Sequence, residues 1–284
     1  MNMPVRVVVV GAGPMGAEIA YSFLRGGSQV EIRDVDDARV GRGRDAVLRS
    51  IERGLAVENV ADSMESMVAR LDATVGLSGF GVADLVVEAV GDNVGLKRSV
   101  LAQISERNPP STVVASNMSN ILLADLVTAV VDPTRFIGIR FNGAPESKLV
   151  EVVVLDSTAD EVVGAVVAWV SGIEMQSIIV RDRPGFVTSR LGVILGLEAI
   201  RLFEECVAAP EAIDLSMTLG YGLPIGPLRL TDIVGLDTGL ATAEYLEATV
   251  GPRFSPPALL REMVAAGHLG RKTGQGFYSW REGP

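Results

Sequence analysis

Three glycines and one aspartate carry the first chemical signal in this sequence. Residues 11–16 read GAGPMG, which spaces Gly11, Gly13 and Gly16 as G-x-G-x-x-G. Asp34 then closes the run QVEIRD, about 20 residues further on. This is the pattern of a dinucleotide site. The first glycine permits a tight turn, the second lets a pyrophosphate approach the backbone, and the third lets a helix pack closely on a strand. The acid accepts hydrogen bonds from the adenosine ribose hydroxyls, and its charge repels a 2′-phosphate, so NAD is expected over NADP. Arg33 stands beside it, but strand alternation sends its side chain the other way.

These residues need particular elements to hold them. VRVVVV (5–10) is β-branched and apolar without alternation, as a parallel strand buried on both faces is. AEIAYSFLRGG reads as the following helix, whose N-terminus offers free N–H groups to phosphates. Helical stretches follow at 37–54 and 58–70. ADLVVEAV (83–90) is a second buried strand, then comes a helix to Arg107 that Pro109 and Pro110 break. TVVASN (112–117) is a strand, and a helix is expected from Ser119. RFIGIRF, KLVEVVVL and EMQSIIVRD are strands, with a helix at 159–171 before the last. Alternating strands and helices predict an α/β fold, a Rossmann-type doubly wound sheet in which some late strands run antiparallel.

DRPGF (182–186) marks a boundary, with a NAD-binding domain over 1–182 and an all-helical C-terminal domain over 183–284. Helices are expected at 187–207 and 209–220, with at least two more between 226 and 270. The helical domain is expected to shape a substrate cleft. It is also expected to bury a homodimer interface, chiefly through 186–206 and 227–250.

Composition narrows the function classes. The chain has 284 residues, 48% hydrophobic and 21% charged, with a net charge of -10, which argues against nucleic acid or an anionic membrane as partner. Its lysines are Lys97, Lys148 and Lys272, so arginine carries nearly all positive charge. Cys206 is the single cysteine, so no intramolecular disulfide can form, in keeping with a reducing cytoplasm. It falls in EAIRLFEECV, read as an amphipathic helix in which the thiol is packed. His268 is the single histidine, read as a surface residue. The apolar run near the start is too short for a signal peptide, no stretch is long enough to span a bilayer, and no metal site is expected.

The motifs taken together resemble the 3-hydroxyacyl-CoA dehydrogenase family, which includes the 3-hydroxybutyryl-CoA dehydrogenases. The matching segments run almost end to end: VVVVGAGPMGAEIA, ADLVVEAVGDNVGLK, ASNMSN, RFIGIRF, KLVEVV, RPGFVTSRL, AIDLSMTLGYGLPIGPLRLTDIVGLDT and GHLGRKTGQGFY. The resemblance implies hydride transfer to NAD coupled to proton transfer. It implies catalytic roles for the loop serine, Ser119, and for the glutamate of KLVEV, Glu151. The family's catalytic histidine falls on Arg140, the asparagine after PGF falls on Ser189, and the shortened RFNGAP places Asn142 where the family has an asparagine. Cofactor contacts implied by the resemblance extend from Gly11, Gly13 and Gly16 to Pro14, Met15, Ala89, Asn117 and Ser119. They also include Asp92, in place of a family glutamate, with Lys97 and Lys272.

Arginine holds its proton far above neutral pH and is no general base. Arg140 is then either a salt bridge to Glu151 that fills the histidine's space, or a fixed charge that polarises a carbonyl or anchors a carboxylate. Three functions stay open. One is an NAD-dependent oxidoreductase with a diverged β-hydroxy or β-keto thioester or related carbonyl substrate. Another is a reductase of an imine-type acceptor, and the last is a cofactor-binding member without turnover. The acyl carrier is equally open between CoA, for which Arg42, Arg44, Arg49 and Arg53 are candidate phosphate contacts, a carrier protein, and none.

Overall fold

A computed structural model describes residues 3–57, 62–141 and 147–280. The chain divides into two compact units, Met1–Asp182 and Arg183–Pro284.

The first unit is built on one eight-stranded sheet. Its strands are β1 (Arg6–Val10), β2 (Gln29–Asp34), β3 (Leu71–Val75), β4 (Leu85–Glu88), β5 (Val113–Ser116), β6 (Phe136–Phe141), β7 (Leu149–Val154) and β8 (Gln176–Arg181). Their spatial order is β3-β2-β1-β4-β5-β6-β7-β8. The first six are parallel, β7 pairs antiparallel with β6, and β8 runs parallel to β7. This is the doubly wound order, extended by two reversed strands at one edge. The helices are α1 (Pro14–Arg25), α2 (Asp37–Val57), α3 (Met64–Ala69), α4 (Val94–Arg107), α5 (Leu123–Leu126) and α6 (Asp160–Gly172). Val7 and Val9 of β1 are fully buried among Ile19 and Phe23 of α1 and Val47 and Ile51 of α2, which explains the unbroken apolar run.

Two expectations need correction here. The run LDATV was not expected as a strand, yet it forms β3 at the sheet edge, half-exposed and with charged Asp72 at its second position, so its apolar signal is weak. The helix expected from Ser119 shrinks to the single short α5, because Asp182 accepts the N–H groups of Leu123 and Ala124 and starts the helix there.

The second unit is helical, with α7 (Thr188–Glu204), α8 (Pro210–Tyr221), α9 (Pro227–Val234), α10 (Leu236–Val250) and α11 (Ala258–Ala265). Gly235, at φ +103°, breaks the long apolar stretch between α9 and α10. Leu197, Ile200, Leu228, Leu236 and Leu246 centre the core. Two buried carboxylates knit its polar parts. Asp214 on α8 accepts the N–H groups of Leu228 and Arg229, satisfying the first turn of α9 that Gly226 cannot cap, and also the hydroxyl of Tyr278. Asp232 is fully buried and accepts from the backbone of Phe277 and Tyr278 and from the Trp280 indole.

Cys206 also needs correction. Helix α7 ends at Glu204, and Cys206 stands just past it at φ +58° with its thiol exposed. The N–H of Val207 returns to the carbonyl of Leu202, closing a left-handed helix stop that takes Cys206 off the buried face. His268 is exposed.

Candidate active site

The glycine loop lies between β1 and α1. Gly11 is at φ +113°, and a Cβ there would sit 2.5 Å from the carbonyl oxygen of Ala89. A Cβ on Gly16 would sit 1.9 Å from the carbonyl oxygen of Gly11. Gly13 differs from both: it is exposed, and a Cβ there would meet nothing within 4 Å. Two glycines thus close the turn and seat the helix, and the middle one leaves room for a ligand. Pro14 occupies the first helical position, where no N–H is needed, and Ala17 makes the first intrahelical bond, to Gly13.

Asp34 is tied to this loop. One carboxylate oxygen accepts the N–H of Ala12 at 2.8 Å and the other that of Val35 at 2.7 Å. Arg33 points away, 2% exposed, as strand alternation requires. A cavity of about 720 Å³ opens over the loop. Its lining includes Gly13, Pro14, Asp34, Ala89 and Gly91. It also includes Arg39, Arg42, Arg49 and Arg53, which share one face of α2. Arg44 is exposed and not among the lining residues.

Lys97 lies beneath the ends of β4 and β5, with no solvent exposure. Its ammonium donates to both oxygens of Glu88, at 2.9 and 3.0 Å, and to the carbonyls of Val90 and Asn117, at 3.1 and 2.9 Å. Asp92 is 3.8 Å away. Glu88, equally buried, also accepts the hydroxyl of Ser116 and the N–H of Val90. Burial pushes its carboxyl above the ordinary value, opposed by the Lys97 charge and these hydrogen bonds. The Asn117 side chain accepts the N–H of Phe141, joining the end of β5 to the end of β6. Ser119 donates its hydroxyl to Asp92.

Arg140 stands directly opposite Glu151 in the antiparallel pairing of β6 and β7. Its guanidinium donates to the Glu151 carboxylate, and the two side chains are 12% and 1% exposed. Asn142 lies outside the described residues. Ser189, in the first turn of α7, and Lys272 belong to the second unit. Lys272 pairs with Asp237, whose carboxyl is raised by burial but held below the ordinary range overall by the hydrogen bond and charge of Lys272.

In the first unit the chain thus gathers Gly11, Gly13, Gly16 and Asp34 at one end of the site. Asp92, Lys97, Asn117 and Ser119 form a second group, and Arg140 with Glu151 a third. Glu88 was missed in the sequence, where it looked like one more residue of a buried strand, although a charge inside an apolar run is itself a signal of a buried partner.

Comparison with known proteins follows this geometry closely. The family model for the 3-hydroxyacyl-CoA dehydrogenase NAD-binding domain matches residues 6–183, and that for the C-terminal domain matches 185–280. A probable 3-hydroxybutyryl-CoA dehydrogenase of Deinococcus radiodurans is 38% identical over 96% of this chain and 99% of its own length. One of Bacillus subtilis is 36% identical over 98% of both chains. The crystal structure of (S)-3-hydroxybutyryl-CoA dehydrogenase from Ralstonia eutropha superimposes with a TM-score of 0.91, at 37% identity, covering 98% of this chain and all of the other.

Removing one partner of a buried ion pair leaves an uncompensated charge and costs roughly 3–5 kcal/mol. Lys97→Met is therefore expected to lower the unfolding free energy by about that amount. The double change Lys97→Met with Glu88→Gln should recover most of it, as measured by chemical denaturation of all three proteins.

Proposed function

Because this chain belongs to the 3-hydroxyacyl-CoA dehydrogenase family, and is an NAD-dependent oxidoreductase acting at a CH–OH group, we propose that its substrate is a diverged β-hydroxy or β-keto acyl thioester. Bound NAD supplies the hydride acceptor, and NADH the donor. The space over Gly13, with the first turn of α1 behind it, suits a pyrophosphate. The Asp34 carboxylate has lone pairs beyond the two it uses on Ala12 and Val35, and these would accept the adenosine ribose hydroxyls. Arg42, Arg49 and Arg53 present a cationic face to the same cavity, suited to the phosphates of a CoA-type carrier.

The Arg140–Glu151 pair carries the chemical part of this reading. On it, Glu151 fixes the guanidinium, and Arg140 holds the partial negative charge on the reacting oxygen. Ser119, by turning its hydroxyl from Asp92, is the second hydrogen-bond donor to that oxygen. Lys97 acts from below, by aligning Asp92 and Asn117. The deep burial of the ion pair also favours a second reading of Arg140, as a salt bridge to Glu151 that only fills space.

Asp34 sets the cofactor preference. NADH is expected to bind more tightly than NADPH, and Asp34→Ala should narrow the gap in a fluorescence titration. Tighter binding of NADPH by the unmodified protein would refute the role given to Asp34.

Loss of general acid–base assistance typically costs about 10²–10⁴-fold in rate, so little oxidation of 3-hydroxybutyryl-CoA is expected. Across a panel of β-keto thioesters assayed by NADH consumption, Arg140→Ala should lower kcat/KM on any accepted substrate by roughly 10²-fold or more. Activity that survives in Arg140→Ala would favour the space-filling reading. Oxidation of 3-hydroxybutyryl-CoA at the rate of a dedicated enzyme would reject the proposed chemistry.

We further propose a homodimer built on the second unit. Large exposed apolar side chains lie on α7 and α8, Leu191, Leu215 and Leu219, with Tyr221 at the end of α8, and Val207 stands exposed between the two helices. The proposed interface takes in α8 as well as the stretches 186–206 and 227–250. Light scattering at micromolar concentration should give a dimer mass, and Leu219→Asp should shift it toward the monomer. A monomeric unmodified protein would rule the dimer out.

A further inference from the structure

The connection from β3 to β4 passes over a buried arginine. Arg33 leaves β2 on the side away from Asp34, and its guanidinium donates to three backbone carbonyls of that connection. Nη1 reaches the carbonyls of Gly76 at 3.1 Å and Ser78 at 2.7 Å, and Nη2 that of Gly79 at 3.1 Å. The same group lies 2.6 Å from Glu31 and 4.7 Å from the centre of the Phe80 ring. Arg6 reaches across from β1 to the other Glu31 oxygen at 2.7 Å. Arg6 also touches the far end of the loop, where a Cβ on Gly81 would lie 2.3 Å from its Nη1. Burial raises the Glu31 carboxyl, but hydrogen bonds from Thr74 and Arg6 and the charges of both arginines bring it below the ordinary value.

A largely buried Arg–Glu–Arg network, with only Arg6 reaching solvent, is a poor source of stability, since well-packed apolar residues often do as well or better. What a planar fork of donors does supply is geometry. The loop needs it. Gly76 and Gly79 both stand at positive φ, and two such glycines within four residues leave the free chain many conformations. The other side of the loop faces the cofactor cavity. Gly76 donates its N–H to the Asp34 carbonyl at 2.7 Å, and Gly76 and Leu77 line the cavity together with Asp34 and Val35.

We propose that Arg33 is a positioning residue for cofactor recognition, holding the loop Gly76–Phe80 as the wall of the site beside the adenosine ribose. It rests on the NAD-binding reading above. Arg33 does not touch the ligand and acts through Gly76 and Leu77. Its Nη donors are committed to the loop carbonyls and Glu31, and the side chain is buried on the side away from Asp34, so the arginine next to Asp34 offers nothing to a 2′-phosphate. The wall serves only the adenosine half of the dinucleotide, and this separates the proposal from a general structural role.

The test is a set of titrations with NADH, ADP-ribose and reduced nicotinamide mononucleotide, on the unmodified protein, Arg33→Met, Arg33→Lys and Phe80→Ala. Circular dichroism confirms that each variant is folded. Arg33→Met is expected to weaken NADH and ADP-ribose by about 10-fold, the order set by having to order a loop on binding, with the mononucleotide unchanged. Phe80→Ala should move the same two ligands in the same direction by a smaller factor, and Arg33→Lys should recover part of the loss. If Arg33→Met does not fold, the Phe80→Ala comparison decides. Unchanged NADH affinity in a folded Arg33→Met, or equal weakening of the mononucleotide, would overturn the proposal. Failure of the unmodified protein to bind NADH at all would overturn the cofactor reading beneath it.

Discussion

The Lys97 ammonium joins the ends of β4 and β5 at a point that solvent does not reach. Glu88 neutralises it, and the carbonyls of Val90 and Asn117 take its remaining donors. From this charge the rest of the first unit's site can be followed outward. Asn117, held by its carbonyl, uses its side chain to fix the N–H of Phe141, and so the end of β6 next to Arg140. Asp92, 3.8 Å from the ammonium, receives the Ser119 hydroxyl. An isolated buried charge would be prohibitive, and even a paired one adds little net stability. Its effect is geometric: one fully occupied donor brings the ends of three strands into a single register.

The reversed strand β7 adds the second constraint. Because β6 and β7 are antiparallel, Arg140 faces Glu151 as a cross-strand pair on one face of the sheet. A slip of one residue in that pairing would send one side chain of the pair to the opposite face and separate the charges. The neighbouring pairs resist such a slip. Ile139 with Val152 and Phe141 with Val150 are all buried, so the apolar register and the ionic register enforce each other. Polar chemistry here is placed by apolar packing on either side of it.

Much of this was legible in the sequence, for identifiable reasons. The doubly wound α/β fold follows from buried apolar runs alternating with helical segments, and the glycine loop from spacing alone. The helical character of residues beyond 183 follows from the lack of strand-like runs. Edge strand β3 was not legible, because LDATV has neither a continuous apolar run nor a clean alternation. Cys206 was misread because EAIRLFEECV keeps helical periodicity past the point where the chain turns left-handed. Arg33 could be aimed by alternation but not matched to a partner, since its acceptors are carbonyls more than 40 positions away. The depth of Lys97 was not legible either, because motif position says nothing of burial.

Asp232 has a further consequence for how the molecule is made. Its three donors come from Phe277, Tyr278 and Trp280, some 45 to 48 positions downstream, and Tyr278 also supplies the third bond of Asp214. During vectorial synthesis, the sheet of the first unit has all its strands once β8 has emerged. Helices α8 and α9 emerge next, and until residues 277–280 follow them Asp232 has none of these donors and Asp214 lacks its third. Only when the segment around residue 280 leaves the ribosome can both carboxylates be buried. The helical unit therefore has a built-in order of assembly, with residues 277–280 acting as the latch that closes it.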